Sequence, residues 1–306
     1  MKVNTLKGIF PVIPTIFNDN DEINLESQKK VIQFSLESGA DGIVFPGMAS
    51  EYSFLSKEER GILLKLLVDE VNGKVPLIAG IGAPDSNDVI ALGKEACSFG
   101  ITRFMIMAPS HLGNDVTKHK EYFLHISENL PNCEIMLQNA PSPMGAGLDV
   151  EFILEIVSSN PSITYIKEET LPSGPRITSL LKNSIPHLIG IFGGGGARYI
   201  IDELNRGAIG ALPAAEITDL HVALFKSYKN GDYDTARRLY RLSLPLLTAQ
   251  VIYRTRLTKY VLYKRGIITN MQHVRAPITK LEEQAMKDIN NMLEDLIKSK
   301  ALTWVS

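Results

Sequence analysis

Residues 163–170 read Ile-Thr-Tyr-Ile-Lys-Glu-Glu-Thr. An apolar, β-branched run that reaches a lysine and then two carboxylates is the pattern of a buried strand leaving a core and entering a polar site. Side chains alternate along a strand, so Lys167 and Glu169 share one face, and Glu168 points to the other, toward surrounding helices or solvent. An amine is thereby paired with a carboxylate. Taken alone, the run could equally be a solvated strand end, and the rest of the chain decides between the two.

On both sides the same pattern repeats. Apolar strands are expected from residue 8 and at 42–45, 75–79, 103–107, 133–137, 163–167, 188–192 and 207–212. Helical periodicity separates them at 25–38, 56–71, 85–99, 116–129, 149–158, 177–182 and from about 197. Ser56 followed by Glu59 has the spacing of a capping box, and Asp85 or Ser86 caps the next helix. Eight continuous apolar strands, each followed by a helix, predict an α/β chain folded as a (β/α)8 TIM barrel with additional C-terminal helices. Residues 1–216 would form the barrel core. Residues 217–306, with long helical patterns at 233–264 and 280–298, would supply the last barrel helix and a C-terminal extension of the same domain.

Catalytic groups in such barrels lie where strands end at the carboxyl face, and Lys167 falls at the end of the sixth strand. A lysine walled by apolar strands has its charged form disfavoured, and a neutral amine is a nucleophile. Glu169 pulls the other way. The two are expected to rest as an ion pair that passes its proton on as substrate enters.

Composition narrows the function classes. With 32 basic and 34 acidic residues, nothing suggests nucleic acid or an anionic membrane as a partner, and 44% hydrophobic with 22% charged residues suits a soluble globular protein. The two cysteines, Cys97 and Cys133, lie in apolar surroundings and read as buried thiols of a reducing, cytoplasmic setting. No run approaches the roughly 18 to 20 apolar residues that span a bilayer, and residues 1–8 lack a secretory apolar core. His111, His119 and His125 lack the spacing that puts two ligands on one helix face, so neither a metal nor a cofactor is expected. Gly193-Gly194-Gly195-Gly196 lacks the Gly-Lys-Ser/Thr ending of a nucleotide-binding loop.

Gly47-Met48-Ala49-Ser50-Glu51 after the second strand, Asn139-Ala140-Pro141 after the fifth, Lys167 on the sixth, and Gly207 with Gly210 at the eighth occur in an order that spans nearly the whole chain. Together they resemble the dihydrodipicolinate synthase and N-acetylneuraminate lyase family of class I aldolases and dehydratases. The resemblance implies a Schiff base between Lys167 and the ketone of a small-molecule 2-oxo acid. It also implies a substrate carboxylate held by the Ser50 hydroxyl and the Ala49 N–H, and a homo-oligomer, tetrameric or dimeric.

Departures from the family pattern redirect the expectation. Gln138 stands where the aldolases and synthases carry a tyrosine, and a carboxamide cannot relay a proton as a phenol does. The two threonines after Gly47 are Met48 and Ala49, and the tyrosine of the loop after the fourth strand falls at His111, which would line the site or sit at a subunit contact. The arginine that grips the second synthase substrate falls at Pro143 or Met144, so dihydrodipicolinate synthase activity is not expected. The chain is most similar to the branch that dehydrates 2-keto-3-deoxy sugar acids such as 2-keto-3-deoxyarabonate, with Gln138, Ser50-Glu51 and Glu169 as the matching residues. In that branch Glu169 would remove the C3 proton of the iminium, and Gln138 would orient the substrate hydroxyl or a water. Asn139, Ala211 and the N–H groups of Gly193 and Gly194 would line the remainder of the substrate. A pyruvate-yielding aldolase using a water or His111, and a 2-oxo-acid-binding homologue impaired in turnover, are the alternatives.

Overall fold

The computed structural model describes residues 5–271 and 273–302, so part of the amino-terminal stretch considered above lies outside the described residues. In chain order the elements are β1 (Gly8–Ile9), α1 (Leu25–Glu37), β2 (Ile43–Val44), α2 (Lys57–Val71), β3 (Leu77–Gly80), α3 (Ser86–Ser98), β4 (Arg103–Met107), α4 (Val116–Asn129), β5 (Glu134–Asn139), α5 (Val150–Ser159), β6 (Ile163–Glu168), α6 (Ser173–Leu181), β7 (Gly190–Gly193), α7 (Ile200–Asn205), β8 (Gly210–Ala211), α8 (Thr218–Lys229), α9 (Tyr233–Lys264) and α10 (Glu283–Lys298). Eight strands, each followed by a helix, form the (β/α)8 barrel fold, and α9 and α10 are the additional C-terminal helices. Among the described residues no helix is long and apolar enough to cross a membrane.

The expected caps are in place. Ser56 Oγ accepts the Glu59 N–H at 3.1 Å while Glu59 returns a carboxylate to the Ser56 N–H at 2.8 Å, and Asp85 takes the Asn87 N–H at 2.7 Å. Two boundaries differ from expectation. Strand β5 runs to Asn139, and α6 begins at Ser173 rather than near Ile177. Pro175 does not prevent that earlier start, because it lies in the first turn, where no backbone N–H has an intrahelical partner. The long helix α9 is also interrupted, at Arg254 (φ 43°, ψ −129°).

The chain gathers into two compact units. One comprises Leu77–Gly195, Tyr199–Leu212 and the described residues up to Lys7. Within it β3 to β8 pair in sequence order, and the pairs from β3–β4 through β7–β8 are parallel. Ile135, Leu137, Ile163, Ile166 and Ile191 are fully buried, as strands covered on both faces require. The register sets Gln138 beside Lys167, Asn139 beside Glu168, and Glu168 beside Gly193. Cys133 is buried in this unit and Cys97 half-buried, with the two sulfurs 3.7 Å apart. Burial, followed by the Cys97 thiol beside it, pushes the Cys133 thiol up to about 12.

The other unit comprises Gly8–Pro76, Gly196–Arg198 and the described residues from Pro213 onward. Val12 bridges in parallel to both Val44 and Ala214. A buried ion pair ties the loop after β2 to the carboxyl-terminal helices: Lys259 Nζ lies 2.6 Å from Glu51 Oε1 and donates to the His273 carbonyl at 2.7 Å. The Ala276 N–H donates to Glu51 Oε2 at 2.8 Å, and the Phe17 ring lies beneath the ammonium at 4.6 Å. Both charged side chains are 1% exposed. Burial draws the Lys259 amine down to about 8 against the pull of Glu51.

Removing one member of such a pair leaves the other charged and alone. K259M is therefore expected to lose about 3–5 kcal/mol in urea unfolding, and K259M combined with Glu51→Gln to recover most of it. A loss of under about 1 kcal/mol for K259M would mean that Glu51 finds solvent and the pair does not anchor the loop.

Candidate active site

Strand β6 delivers its lysine to a carboxylate of the same face. Lys167 is 5% exposed, and its Nζ lies 2.8 Å from Glu169 Oε1. The same oxygen accepts from Gln138 Nε2 at 2.6 Å, and Glu169 Oε2 accepts the Gly195 N–H at 3.3 Å. The β5–β6 register explains the cluster, because Gln138 is the cross-strand partner of Lys167. Burial by itself would raise the Glu169 carboxyl. The Lys167 charge, with hydrogen bonds from Lys167, Gln138 and Gly195, outweighs burial and holds it below the ordinary glutamate value. The result is a nearly dry amine and carboxylate within proton-exchange distance.

Gly194 makes the arrangement possible. A Cβ there would stand 2.2 Å from Glu169 Cγ and 2.6 Å from its Cδ, so only a hydrogen fits. Gly193, buried at the end of β7, leaves the corresponding room on its own side for the carboxyl of Glu203. The two glycines expected to line substrate therefore also seat two acidic side chains.

Alternation sends the neighbouring residues behind the strands. Glu168 is fully buried, so its expected position among helices is found and solvent is not. Both of its oxygens accept from Asn139 Nδ2 at 3.1 Å, Oε1 takes the Thr170 N–H at 2.7 Å, and the Arg176 guanidinium lies 3.2 Å from Oε2. Burial raises the Glu168 carboxyl, with Arg176 and these donors opposing. Asn139, expected to line substrate, is held by the protein's own groups. It faces the Glu168 side, its Oδ1 accepts the Leu148 N–H at 2.9 Å, and it is fully buried.

Ser50, the expected carboxylate contact, is hydrogen-bonded to the protein's own backbone. It lies in the other unit, fully buried, where its hydroxyl donates to the Ile13 carbonyl at 2.5 Å and accepts the Gly47 N–H at 2.9 Å. Its single proton is committed within the protein, so the Ser50 hydroxyl shapes the loop. Ala49, half-buried beside it, accepts from Thr255 Oγ1 through its carbonyl at 3.2 Å. His111 is exposed on the turn Ser110–Leu112, and Ala211 is buried at the end of β8 as the partner of Gly193. Among the described residues no cluster of three or more His, Cys, Asp or Glu side chains could hold a metal ion.

Sequence reasoning passed over Arg176, Ser173 and Glu203. Arg176 lies against Glu168 and donates to the Leu148 carbonyl. Ser173 donates to Glu203 at 2.7 Å. Glu203 falls on the apolar stripe of Ile200 and Leu204, and an acid at such a helical position was the available signal.

A family model described as "Dihydrodipicolinate synthetase family" matches residues 5–296. The chain is 26% identical over 286 residues to the L-2-keto-3-deoxyarabonate dehydratase of Azospirillum brasilense, covering 92% of each protein. It is 29% identical over 306 residues to a 4-hydroxy-tetrahydrodipicolinate synthase of Rickettsia bellii, covering 96% of this chain and 98% of the relative. The crystal structure of the dihydrodipicolinate synthase from Rhodopseudomonas palustris superposes with a TM-score of 0.88 at 26% identity, covering 95% of this chain and 98% of that one.

Gly194→Ala tests the seat of Glu169. The added carbon has to displace the carboxylate or its backbone, at an expected stability cost of about 1–3 kcal/mol. A carboxylate held below its unfolded value of 4.5 stabilises the fold above that pH and loses the contribution as pH falls. The Gly194→Ala protein should therefore titrate Glu169 at a higher pH by carboxyl NMR and lose less stability on acidification. An unaltered Glu169 titration would show that the ion pair does not need the glycine.

Proposed function

The chain belongs to the dihydrodipicolinate synthetase family, and on that premise we propose that it is a Schiff-base lyase dehydrating a 2-keto-3-deoxy sugar acid. The observation that carries the reading is the cluster of Lys167, Glu169 and Gln138, an amine beside an anionic carboxylate with a carboxamide in hydrogen-bond contact. Lys167, after giving its proton to Glu169, attacks the C2 ketone; the former carbonyl oxygen takes one hydrogen from the nitrogen and the proton back from Glu169 and leaves as water, which forms the iminium and restores the Glu169 carboxylate. The positive nitrogen acidifies the C3 hydrogens. Glu169 takes one of them, the electron pair becomes the enamine double bond, and that pair expels the C4 hydroxyl, which leaves as water with a proton returned through Glu169. Hydrolysis of the imine then releases the dehydrated 2-oxo acid.

The group contributed by β5 favours elimination over carbon–carbon cleavage. Aldol cleavage must remove the proton of the C4 hydroxyl, and Gln138 can hold that hydroxyl by hydrogen bonds but cannot accept its proton. The A. brasilense dehydratase supports the same reading, whereas the R. bellii relative keeps 4-hydroxy-tetrahydrodipicolinate synthesis as the competing activity to be assayed.

Borohydride reduction with pyruvate present, followed by peptide mass spectrometry, should place the adduct on Lys167 in the wild type and in Glu169→Gln, and nowhere in Lys167→Ala. Turnover of 2-keto-3-deoxy acids by Glu169→Gln should fall at least about a hundredfold, the scale of general-base catalysis. Products retaining all substrate carbons support dehydration. Pyruvate plus an aldehyde would replace it with the aldolase reading, and unchanged Glu169→Gln turnover would remove Glu169 from the mechanism.

A further inference from the structure

Behind the Lys167–Glu169 pair, on the helix side of β7, lies a buried carboxyl that the steps above do not use. Glu203 of α7 is 1% exposed. Its Oε1 accepts from Ser173 Oγ at 2.7 Å, while its Oε2 is buried with no hydrogen-bond partner among the described residues. That orphaned oxygen rests on Gly193, where a Cβ would stand 1.9 Å from Oε2 and 2.5 Å from Cδ. At the next residue, Gly194, Glu169 occupies the equivalent space. Two acids thus grip one dipeptide, and the following N–H, that of Gly195, closes onto Glu169 Oε2 at 3.3 Å.

We propose that Glu203 is a positioning residue for Glu169: as the neutral acid it steadies the Gly193–Gly194 backbone on which Glu169 rests, and as the carboxylate it disturbs that seat. The inference rests on the Schiff-base reading and deepens it, because abstraction of the C3 proton then depends on a proton held one layer behind the reacting groups. The physical reason is the orphaned oxygen. A neutral carboxyl can leave one oxygen against a methylene, whereas a carboxylate would place charge on an atom that no donor reaches.

The surroundings favour the neutral form. Burial pushes the Glu203 carboxyl up to about 7, the Ser173 hydroxyl opposes this, and the charges of Glu169, Asp202 and Glu168 add to the rise. Each of those three acids has its own cation: Lys167 at 2.8 Å from Glu169, Arg176 at 3.2 Å from Glu168, and Arg206 at 2.8 Å from Asp202. Ser173 on α6 and Gly193 on β7 touch Glu203, and the charges of Glu168 and Glu169 reach it from the end of β6.

Exchange of the methyl hydrogens of pyruvate in D2O, followed by proton NMR, isolates the step from the identity of the natural substrate. On the Lys167 imine a methyl C–H bond breaks, the proton passes to Glu169 and the electron pair forms the enamine. A deuteron acquired by Glu169 from solvent then returns to carbon. Normalised to the imine trapped by borohydride at each pH, the wild-type rate should fall about tenfold between pH 6 and pH 8. E203Q, neutral at every pH and able to accept from Ser173, should match the wild type within about twofold at pH 6 and lack the fall. Ser173→Ala, which removes the donor favouring the carboxylate, should move the midpoint to higher pH. An E203Q profile that falls with the wild-type midpoint, whatever its height, overturns the proposal. Undiminished exchange in Glu169→Gln would instead defeat the base assignment, and a wild type that traps no imine would defeat the Schiff-base reading together with this inference.

Discussion

The alternation of side chains at the end of β6 is the constraint around which the site is organised. Lys167, Glu168 and Glu169 are consecutive, yet a period of two sends the lysine and Glu169 one way and Glu168 the other. Each buried charge then needs its own solution. At 2.8 Å and an effective dielectric of about 20, the Lys167–Glu169 attraction is on the order of 6 kcal/mol, comparable to the several kcal/mol that desolvating each ion costs. Neither side of that comparison wins by much. On the Schiff-base reading proposed above, that near balance is what transfer of a proton within the pair requires.

Glu168 has the opposite arrangement. Asn139, Thr170 and Arg176 surround its two oxygens, and nothing in that set is arranged to move a proton onto a reacting atom. The same alternation distributes β5, where Gln138 accompanies the amine and Asn139 accompanies Glu168. The glycines after β7 complete the division, since Gly194 admits Glu169 on one side of the backbone and Gly193 admits Glu203 on the other. Both have to be glycine for the two acids to approach the same dipeptide.

Much of this was legible in the sequence. Continuous apolar runs gave the strand positions because both faces of a barrel strand are covered, and the Ser56 and Asp85 caps could be read because their partners lie two or three residues away. The pairing of Lys167 with Glu169 needed only the strand period. What the sequence did not show depended on distant partners. The Ser50 hydroxyl is committed to Ile13, 37 residues away, and no local pattern announces that acceptor. The contact of Asn139 with Glu168 follows from the β5–β6 register, which no local pattern states. Glu203 is marked in the sequence only by its apolar stripe neighbours Ile200 and Leu204, and its partner Ser173 lies 30 residues away.

The other buried lysine shows why position and partners, rather than burial, make an amine reactive. Lys259 is as deeply enclosed as Lys167, and burial draws it down to about 8. Its ammonium nevertheless meets the Glu51 carboxylate, the His273 carbonyl and the face of Phe17, three acceptors that all favour the charged form and together occupy its approach directions. Deprotonating it would sacrifice all three at once, and a substrate carbon would have to displace one of them to reach the nitrogen. Lys167 stands at a strand end with a single charged partner, the Glu169 carboxylate, to which the proposed mechanism passes its proton. The proposed chemistry therefore follows from the availability of a proton acceptor beside the amine. That availability in turn comes from a glycine that lets a carboxylate lie where a side chain would otherwise be.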